Sequence, residues 1–434
     1  AGSDWSSDVC SSDLDIMKLI HTADWHLGNT FHGHDRADEH AHFLSWLLEV
    51  VRQQRPDALI ISGDIFDTAN PPARAEKQFF DFLIQATSAV EGLQVVATAG
   101  NHDSAGRLEA PAELLKVHNV YVRGMVRRLE DSGEVDFDHY LLPLSPLGQQ
   151  EAVVTCFAVP YLRTSDYPSG LSATEGLAWF LDNLCKRYRK TPFKSLPAVV
   201  AAHFYAAGAE ICQDEHSERL VVGGQDCVEA GRVDCGALYT ALGHIHKAQR
   251  VGGVKSDMYY AGSALPMSFS EKGYRHGVNL VTISETGETE VSRLEYTPLR
   301  ALLSIPNRGA VSTDALFDAI AALPQREKND DGATWPYLEM RVLENQPNPS
   351  LLHEATEALA DKAVHFCRMV RELPPAASEP GKIGSVETLR SIQPIDMAKR
   401  VFESRYNTDM PEALQQRFNA AYEKAVSEIK EGEQ

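Results

Sequence analysis

The sequence predicts an α/β protein in which the strands of a largely buried sheet alternate with helices. Apolar runs rich in β-branched and aliphatic residues recur along the chain, each of a length that suits a strand. Amphipathic stretches separate the first of these runs. Each run ends in polar side chains, which a parallel sheet delivers to one edge. The runs, with the polar residues that end them, are Leu19–His26, Leu59–Asp64, Val95–Asp103, Ala198–His203 and Tyr239–His246.

Helices are predicted between the strands of the first half. Apolar residues at helical spacing indicate one helix over 37–54 and a second that follows Pro71-Pro72. A strand near 151–159 and a helix over 172–190 continue the alternation. Helices between apolar strands are typical of right-handed βαβ units.

The middle of the chain predicts a change of architecture. The segment 206–236 is rich in Gly, Glu and Asp without a clean period, and we expect it to form a long loop or hairpin over the site. Short alternating runs at 277–285 and 288–296 then predict antiparallel strands. We therefore expect the first large domain to cover residues 17–296.

A small α+β domain is expected over 297–372. It rests on strand patterns at 300–305 and 336–343 and on helix patterns at 313–323 and 350–366. These segments carry no cluster of candidate ligands.

The two ends of the chain have a different character from the domains. Residues 1–16 are rich in Ser and Asp, show no period, and are expected to be a non-native or disordered leader that resembles vector sequence. Proline-rich residues 373–392 are expected to be a linker. Residues 393–434 predict a helical hairpin whose apolar face exceeds what one hairpin can bury, so we expect it to bind a partner.

Composition limits the class of protein. At 434 residues, with 43% hydrophobic and 24% charged residues, the chain resembles an ordinary soluble protein, and no apolar run approaches the length of a membrane helix. Seven scattered cysteines without a C-x-x-C pair favour a reducing cytoplasm. The formal charge of −20 opposes a polyanionic substrate unless cations or a basic partner reverse it locally.

The polar residues at the strand ends have the chemistry of a metal site. Carboxylate, amide and imidazole ligands together suit a pair of divalent ions bridged by one carboxylate. Mn²⁺ is the first expectation, because Mg²⁺ prefers oxygen ligands and structural Zn²⁺ prefers thiolates, while catalytic Zn²⁺ and Fe²⁺ remain alternatives. A small residue or Gly before the ligands is expected to let the backbone turn sharply. The set is Asp24, His26, Asp64, Asn101, His102, His203, His244 and His246.

These motifs resemble those of the calcineurin-like metallophosphoesterases. The family signature runs D-x-H, G-D-x-x-D, G-N-H-[DE], H and G-H-x-H, and every block is present in that order. More narrowly, His21–Gly28, Gly63–Thr68 and Leu242–His246 are similar to the SbcD family of bacterial nuclease subunits, and the likeness extends from Met17 to the helical tail. The resemblance implies a β-sandwich flanked by helices, a small α+β cap domain and a C-terminal helical hairpin.

The resemblance also implies roles for the individual residues. One metal ion would be held by Asp24, His26, Asp64 and His246, and the second by Asp64, Asn101, His203 and His244. His102 would be the catalytic residue that contacts the scissile phosphate, with a hydrogen bond to a metal ligand as the alternative role. Asp103 would orient His102 or cap its turn, and Asp67 would act likewise at the first metal. The absence of Gly before His203 departs from the family pattern.

The function implied by the resemblance is that of a two-metal DNA nuclease subunit. It would act as a 3′–5′ double-strand exonuclease and a single-strand or hairpin endonuclease in DNA repair, recombination and replication. The chain has no G-x-x-x-x-G-K-[ST] motif, so ATP hydrolysis would come from an SMC-like ATPase of the SbcC type. The expected assembly is a homodimer within a heterotetramer, located in the cytoplasm at the nucleoid and not in a membrane.

Other functions are compatible with the same motifs. The main alternative is a small-molecule or generic phosphodiesterase of the same superfamily. A protein phosphatase is less favoured, because Thr68 and Asp103 stand where Arg and Glu would be expected. A non-catalytic scaffold is disfavoured because no ligand of the set is missing.

Overall fold

The computed structural model describes residues 15–210, 227–344 and 348–372, together with separate positions between 395 and 422. The strands are β1 (Asp15–Thr22), β2 (Thr30–Phe31), β3 (His34–Asp35), β4 (Ala58–Ser62), β5 (Gln94–Thr98), β6 (Val120–Arg123), β7 (Leu141–Leu144), β8 (Val154–Ala158), β9 (Ala198–His203), β10 (Tyr205–Ala206), β11 (Cys227–Val228), β12 (Tyr239–Gly243), β13 (Gln249–Arg250), β14 (Asp257–Tyr260), β15 (Gly277–Ser284), β16 (Thr289–Glu295), β17 (Leu302–Ile305), β18 (Tyr337–Leu343) and β19 (His365–Glu372).

The helices connect and cover these strands. They are α1 (Ala37–Gln54), α2 (Ala73–Ala89), α3 (Ala105–Glu109), α4 (Ala112–Lys116), α5 (Ala173–Tyr188), α6 (Ala230–Val233), α7 (Thr313–Ala321) and α8 (Leu351–Ala358). Two short 3₁₀ turns cover Phe137–Tyr140 and Phe269–Gly273. The described residues divide into two units: the first runs to Leu302 and includes Gly332–Tyr337, and the second contains Leu303–Asp331 and the residues from Leu338 onward.

Two six-stranded sheets form the first unit. One has the order β16-β15-β1-β4-β5-β6, and the other has the order β13-β14-β12-β9-β8-β7. In the first sheet β1, β4, β5 and β6 are parallel, and in the second β8, β9, β12 and β14 are parallel. The antiparallel strands lie toward the edges, and β15 pairs with β16 as the alternating runs predict.

Alternating side chains place each strand in two cores. In β4, Ile60 belongs to the core between the sheets, whereas Leu59 and Ile61 belong to the core under α1 and α2. In β9, Val199 faces the central core and Val200 faces the core under α5. Because both faces of each strand are buried, the strands read as continuous apolar runs. The result is a β-sandwich with a layer of helices on each outer side.

Several predicted elements match the structure closely. The helix expected over 37–54 is α1, and the helix expected over 172–190 is α5. A capping box starts α5: Ser172 accepts the backbone N–H of Glu175, whose carboxylate accepts the backbone N–H of Ser172.

The helix predicted over 350–366 is wrong in its second half. α8 ends at Ala358, and β19 begins at His365. β19 forms the edge of the three-stranded sheet β17-β18-β19 of the second unit, next to β18. Pairing with a strand that is distant in the sequence decides this conformation, and local periodicity does not reveal it.

The remaining expectations for segment boundaries are described only in part. Asp15 and Ile16, assigned to the leader over 1–16, belong to β1, and Asp15 pairs with Ser284. The ends of the segment 206–236 meet through parallel pairing of β10 and β11, but 211–226 lie outside the described residues. The linker predicted over 373–392 also lies outside them, as does much of the tail predicted over 393–434.

Candidate metal centre

Polar side chains from five parallel strands meet at one end of the sandwich. They follow β1, β4 and β5 of one sheet and β9 and β12 of the other. Three overlapping groups have candidate ligand atoms that all lie within 4.8 Å of one another. The groups are Asp24, His26 and His246; His26, Asp64 and His102; and Asp64, His203 and His244. The sequence therefore brings together every residue of the predicted set, with Asn101 added by its hydrogen bonds.

The backbone is strained where these side chains leave the strands. Asp24, His26, Asp64 and His244 have positive φ angles of 53°, 47°, 47° and 103°. Non-glycine residues seldom adopt this conformation, which costs on the order of 1–3 kcal/mol each. The surrounding structure therefore holds four candidate ligands in conformations that they would not adopt alone.

Glycines next to the ligands are required mainly for close approach. A Cβ on Gly100 would lie 2.1 Å from Asp64 Oδ1 and 2.3 Å from Asp64 N. A Cβ on Gly243 would lie 1.9 Å from the carbonyl oxygen of Ser62. Of the three glycines that precede ligands, only Gly63 also has a positive φ, of 83°. Turning the backbone, the reason expected from the sequence, therefore applies to Gly63 alone.

Hydrogen bonds join the loops that carry the ligands. Asp24 N donates to the carbonyl of Gly63 over 3.1 Å, and His26 N donates to the carbonyl of Asp64 over 3.0 Å. The backbone N–H of His244 donates to the carboxylate of Asp24, 2.9 Å from Oδ1. The loops after β1, β4 and β12 are thus fixed to one another without any ion.

The first group gives the clearest sign that a cation fits. His26 is only 2% exposed, and neither ring nitrogen has a hydrogen-bond partner among the described residues. Its Nε2 lies 3.9 Å from Asp64 Oδ2, and its Nδ1 lies 3.5 Å from Asp67 Oδ1, both longer than a hydrogen bond. A buried polar atom without a partner is costly, and a metal ion would satisfy it.

The second group is arranged around Asn101. Its Oδ1 lies 3.0 Å from His203 Nε2 and 3.0 Å from His244 Nδ1. His203 Nε2 also lies 3.4 Å from Asp64 Oδ2. The Nδ1–H of His203 donates to the carbonyl of Ser62 over 2.9 Å, which turns Nε2 toward the other ligands. No Gly precedes His203 because it is the last residue of β9 and needs no turn.

His102 is positioned differently from the other histidines. Its Nδ1–H donates to the carbonyl oxygen of Asp67 over 2.8 Å, and its backbone N–H donates to Asp64 Oδ1 over 2.9 Å. The ring is edge-on to that of His26, with 5.0 Å between ring centres. Nε2 is the nitrogen left for a substrate or an ion, and the side chain is partly exposed.

The two nearby aspartates divide their roles unlike the prediction for Asp103. The carboxylate of Asp103 accepts backbone N–H groups of Gly100, Ile65 and Phe66 at 2.8, 3.2 and 2.9 Å. It therefore caps its own turn and ties it to the loop after β4, whereas the carbonyl of Asp67 orients His102. The side chain of Asp67 lies beside His26, as expected for the first metal.

One buried carboxylate at the site was missed by sequence reasoning. Glu271 Oε1 accepts the Nδ1–H of His246 over 3.1 Å, and Glu271 is only 1% exposed. It lies in the 3₁₀ turn after Ser268, between antiparallel strands and distant from every motif. No local signal marks Glu271, because its partner is chosen by the tertiary fold.

Burial and neighbouring charges set the ionisation of the cluster. Burial raises the pKa of Asp24. Burial acts the same way on Asp64, but the His203 imidazole outweighs it and holds the pKa of Asp64 well below its usual range. At His203, burial is outweighed by the carboxylates of Asp64 and Asp24, which raise its pKa to about 9. Burial and His203 lower the pKa of His244 to about 3, so His244 is a neutral donor near pH 7.

A cavity of about 350 Å³ opens beside the second group, with His203 in its wall. Arg163 also lines it, and Arg163 Nη2 lies 3.4 Å from the carbonyl oxygen of Asp103. The guanidinium carbon lies 5.7 Å from the ring centre of Tyr161. Within the described part of the chain, no carboxylate forms an ion pair with this guanidinium. A cation is thus placed next to the loop that carries His102.

Buried carboxylates and imidazoles at the strand ends of a sandwich define the class of a metal-dependent phosphoesterase. Residues 17–248 match the calcineurin-like phosphoesterase family. Residues 298–406 match a second family, described as the Type 5 capsule protein repressor C-terminal domain. Among the described residues, none of the helices has the length and apolar character needed to cross a lipid bilayer.

Several curated relatives are named as the SbcD component of the nuclease SbcCD. The protein of Rhodobacter capsulatus is 32% identical over 357 residues, which cover 79% of this chain and 85% of the relative. That of Bacillus subtilis is 33% identical over 332 residues, 75% of this chain and 79% of the relative. That of Escherichia coli K12 is 32% identical over 279 residues, 62% and 65% of the two chains. This chain belongs to the calcineurin-like phosphoesterases and, within them, to the SbcD nuclease subunits. The predicted fold class and metal-dependent phosphodiesterase activity are thereby confirmed.

Proposed function

We propose that this chain is the nuclease subunit of a DNA end-processing complex and cleaves phosphodiester bonds with two divalent ions. The observation that carries the proposal is the set of three overlapping ligand groups, two of which contain Asp64. The names of the relatives support DNA as the substrate and a second subunit as the partner. We extend this to 3′–5′ exonuclease activity on duplex ends and endonuclease activity on single strands and hairpins.

Asp64 would bridge the two ions. Asp24, His26 and His246 would complete one site, and Asn101, His203 and His244 would complete the other. The hard and borderline ligands of this set favour Mn²⁺, with Mg²⁺, Fe²⁺ or Zn²⁺ as alternatives. When bound, two such ions activate a water molecule and neutralise charge on the scissile phosphate.

His102 would be the catalytic residue that the protein itself provides. The hydrogen bond from Nδ1–H to the carbonyl of Asp67 keeps that nitrogen a donor and leaves Nε2 facing the site. A proton held at Nε2 can be donated to a phosphate oxygen or to the leaving oxygen. Because the carbonyl of Asp67 fixes the ring, little motion is needed before the reaction.

The acidic chain requires local positive charge to receive DNA. A formal charge of −20 repels a polyanion at long range. Arg163 supplies one cation beside the loop of His102, and the metal ions would supply more. A basic partner subunit would add the remaining attraction for duplex DNA.

Partners follow from the family and from exposed apolar side chains. We propose an SMC-like ATPase of the SbcC type as the second subunit, which would bind the tail over 393–434, and a homodimer of this chain within a heterotetramer. On the surface near α4, Leu114 is 77% exposed and Val117 is 82% exposed, and apolar residues this exposed mark a candidate dimer contact. The complex would act in repair, recombination and replication at the nucleoid.

The deciding experiment is manganese-dependent digestion of three substrates, with and without the ATPase subunit. The substrates are linear duplex DNA, a DNA hairpin and a generic aryl phosphodiester. Cleavage of both DNA substrates, stimulated by the ATPase subunit and ATP, is the expected result. Cleavage of the aryl ester alone would favour the small-molecule phosphodiesterase and contradict the proposal.

A further inference from the structure

The candidate histidine ligands of the two ions are held by different partners. In the first site, the Nδ1–H of His246 donates to the carboxylate of Glu271 over 3.1 Å. In the second site, the Nδ1–H of His203 donates to the backbone carbonyl of Ser62 over 2.9 Å. One partner can carry a full negative charge, whereas the other is a neutral dipole.

The rest of each site adds to this difference. Besides the shared Asp64, the first site contains the carboxylate of Asp24, whereas the second contains the neutral amide of Asn101. More negative charge around a site raises its attraction for a divalent cation in a buried environment. A carboxylate behind an imidazole also fixes the ring and makes the free nitrogen a stronger donor.

Glu271 is held in place by contacts that do not involve the ligands. Its Oε2 accepts the backbone N–H of Met267 over 2.8 Å, and its own N–H donates to the carbonyl of Ser268 over 3.1 Å. The neighbouring Phe269 packs against Phe31, with 5.3 Å between ring centres. The carboxylate is therefore oriented before an ion binds, as a positioning residue must be.

We infer that Glu271 is a positioning residue that makes the two metal sites unequal. The site of Asp24, His26 and His246 binds its cation more tightly, and the site of Asn101, His203 and His244 exchanges its cation more readily. The inference rests on the metal assignment proposed above and is independent of the nature of the phosphodiester substrate.

The test is a Mn²⁺ titration of the metal-stripped, full-length chain, followed by calorimetry and by the electron paramagnetic resonance signal of free Mn²⁺. The wild-type chain should bind two equivalents with unequal affinity. Glu271→Gln should weaken the tighter equivalent by about 10–100-fold and leave the weaker one unchanged. Neither readout depends on catalytic activity.

The chain offers a matched control in Glu109 and His139. Glu109 Oε1 accepts the Nε2–H of His139 over 2.9 Å, and Glu109 Oε2 accepts the backbone N–H of Gly124 over 2.8 Å. This is the same kind of carboxylate–histidine pair, but neither residue belongs to a candidate metal group of the described residues. Glu109→Gln should leave both Mn²⁺ affinities at the wild-type values.

A second pair of variants keeps the inference testable if Glu271→Gln fails to fold. His203→Asn should abolish the weaker equivalent and retain the tighter one, and His246→Asn should do the reverse. Equal affinities in the wild-type chain, equal weakening of both equivalents by Glu271→Gln, or loss of the tighter equivalent in His203→Asn would each overturn the inference alone. A wild-type chain that binds no Mn²⁺ would overturn the proposed function as well.

Discussion

The backbone N–H of His102 donates to Asp64 Oδ1 over 2.9 Å, although 38 residues separate the two in the chain. This bond couples the proposed catalytic histidine to the proposed bridging carboxylate. The loop after β5 therefore orients Asp64, and changes in that loop should affect metal binding as well as chemistry.

Replacing Asp64 should remove both metal ions. Asp64→Ala is expected to abolish hydrolysis and to lower the metal content at both sites, because one carboxylate serves both. Metal content is measured by plasma emission after dialysis, with Asp81→Ala, on the exposed side of α2, as the control. Normal metal content with retained activity would remove Asp64 from its bridging role.

Replacing His102 should separate catalysis from metal binding. His102→Ala is expected to keep near-full metal occupancy while turnover falls by at least about 10²-fold, the scale for losing a general acid or a charge-stabilising donor. The exposed His353→Ala is the control and should match the wild type. If His102→Ala loses metal instead, His102 is a ligand, as its place in one candidate group would allow.

A methyl group at Gly100 should disrupt the centre sterically. Because its Cβ would lie 2.1 Å from Asp64 Oδ1, Gly100→Ala should lower the free energy of unfolding by about 1–3 kcal/mol and reduce metal content. The matched control is Gly106→Ala, whose Cβ would meet only Met125 Sδ at 3.4 Å. Denaturant unfolding and metal analysis compare the two, and equal behaviour would refute the close-approach explanation.

Charge on the exposed apolar residues near α4 should prevent self-association. The double variant Leu114→Glu and Val117→Glu is expected to be a monomer where the wild type is a dimer, because like charges and lost apolar contact oppose pairing. Analytical ultracentrifugation measures the change. Leu352→Glu, at an exposed apolar position of the second unit, is the control and should leave the wild-type state unaltered.

Apolar residues of the tail should bind the ATPase subunit. Leu414 is 41% exposed and Tyr422 is 46% exposed, so the double variant Leu414→Glu and Tyr422→Glu should abolish co-purification with the ATPase and ATP-stimulated cleavage of duplex ends. Manganese-dependent cleavage of short single-stranded DNA should remain near the wild-type rate. Unchanged affinity for the ATPase would show that the subunit binds elsewhere.

The strand ends were predictable because their chemistry is written in contiguous residues. An apolar run followed by Asp24 and His26, or by Asn101 and His102, identifies both a buried strand and a polar group at its carboxyl end. Parallel pairing then brings such ends together whatever the loops between them do. The same argument predicted α1, whose apolar face follows a helical period.

The partners of these residues were not predictable in the same way. Asp103 caps a turn through three backbone N–H groups, and the carbonyl of Asp67 orients His102. These bonds depend on angles between loops, which residue types alone do not specify. The strand β19 was missed for a related reason, since pairing with β18 overrides the local helical pattern.

The sequence by itself determined which side chains reach the centre, because each lies within a few residues of a strand end. Only the tertiary structure decided that Glu271, between strands of another region, lies behind His246. It also decided that Gly100 and Gly243 are needed for space, since the atoms that a Cβ would strike belong to Asp64 and Ser62. Short-range patterns specify strands and their ends, whereas contacts between loops arise only after the two sheets have packed.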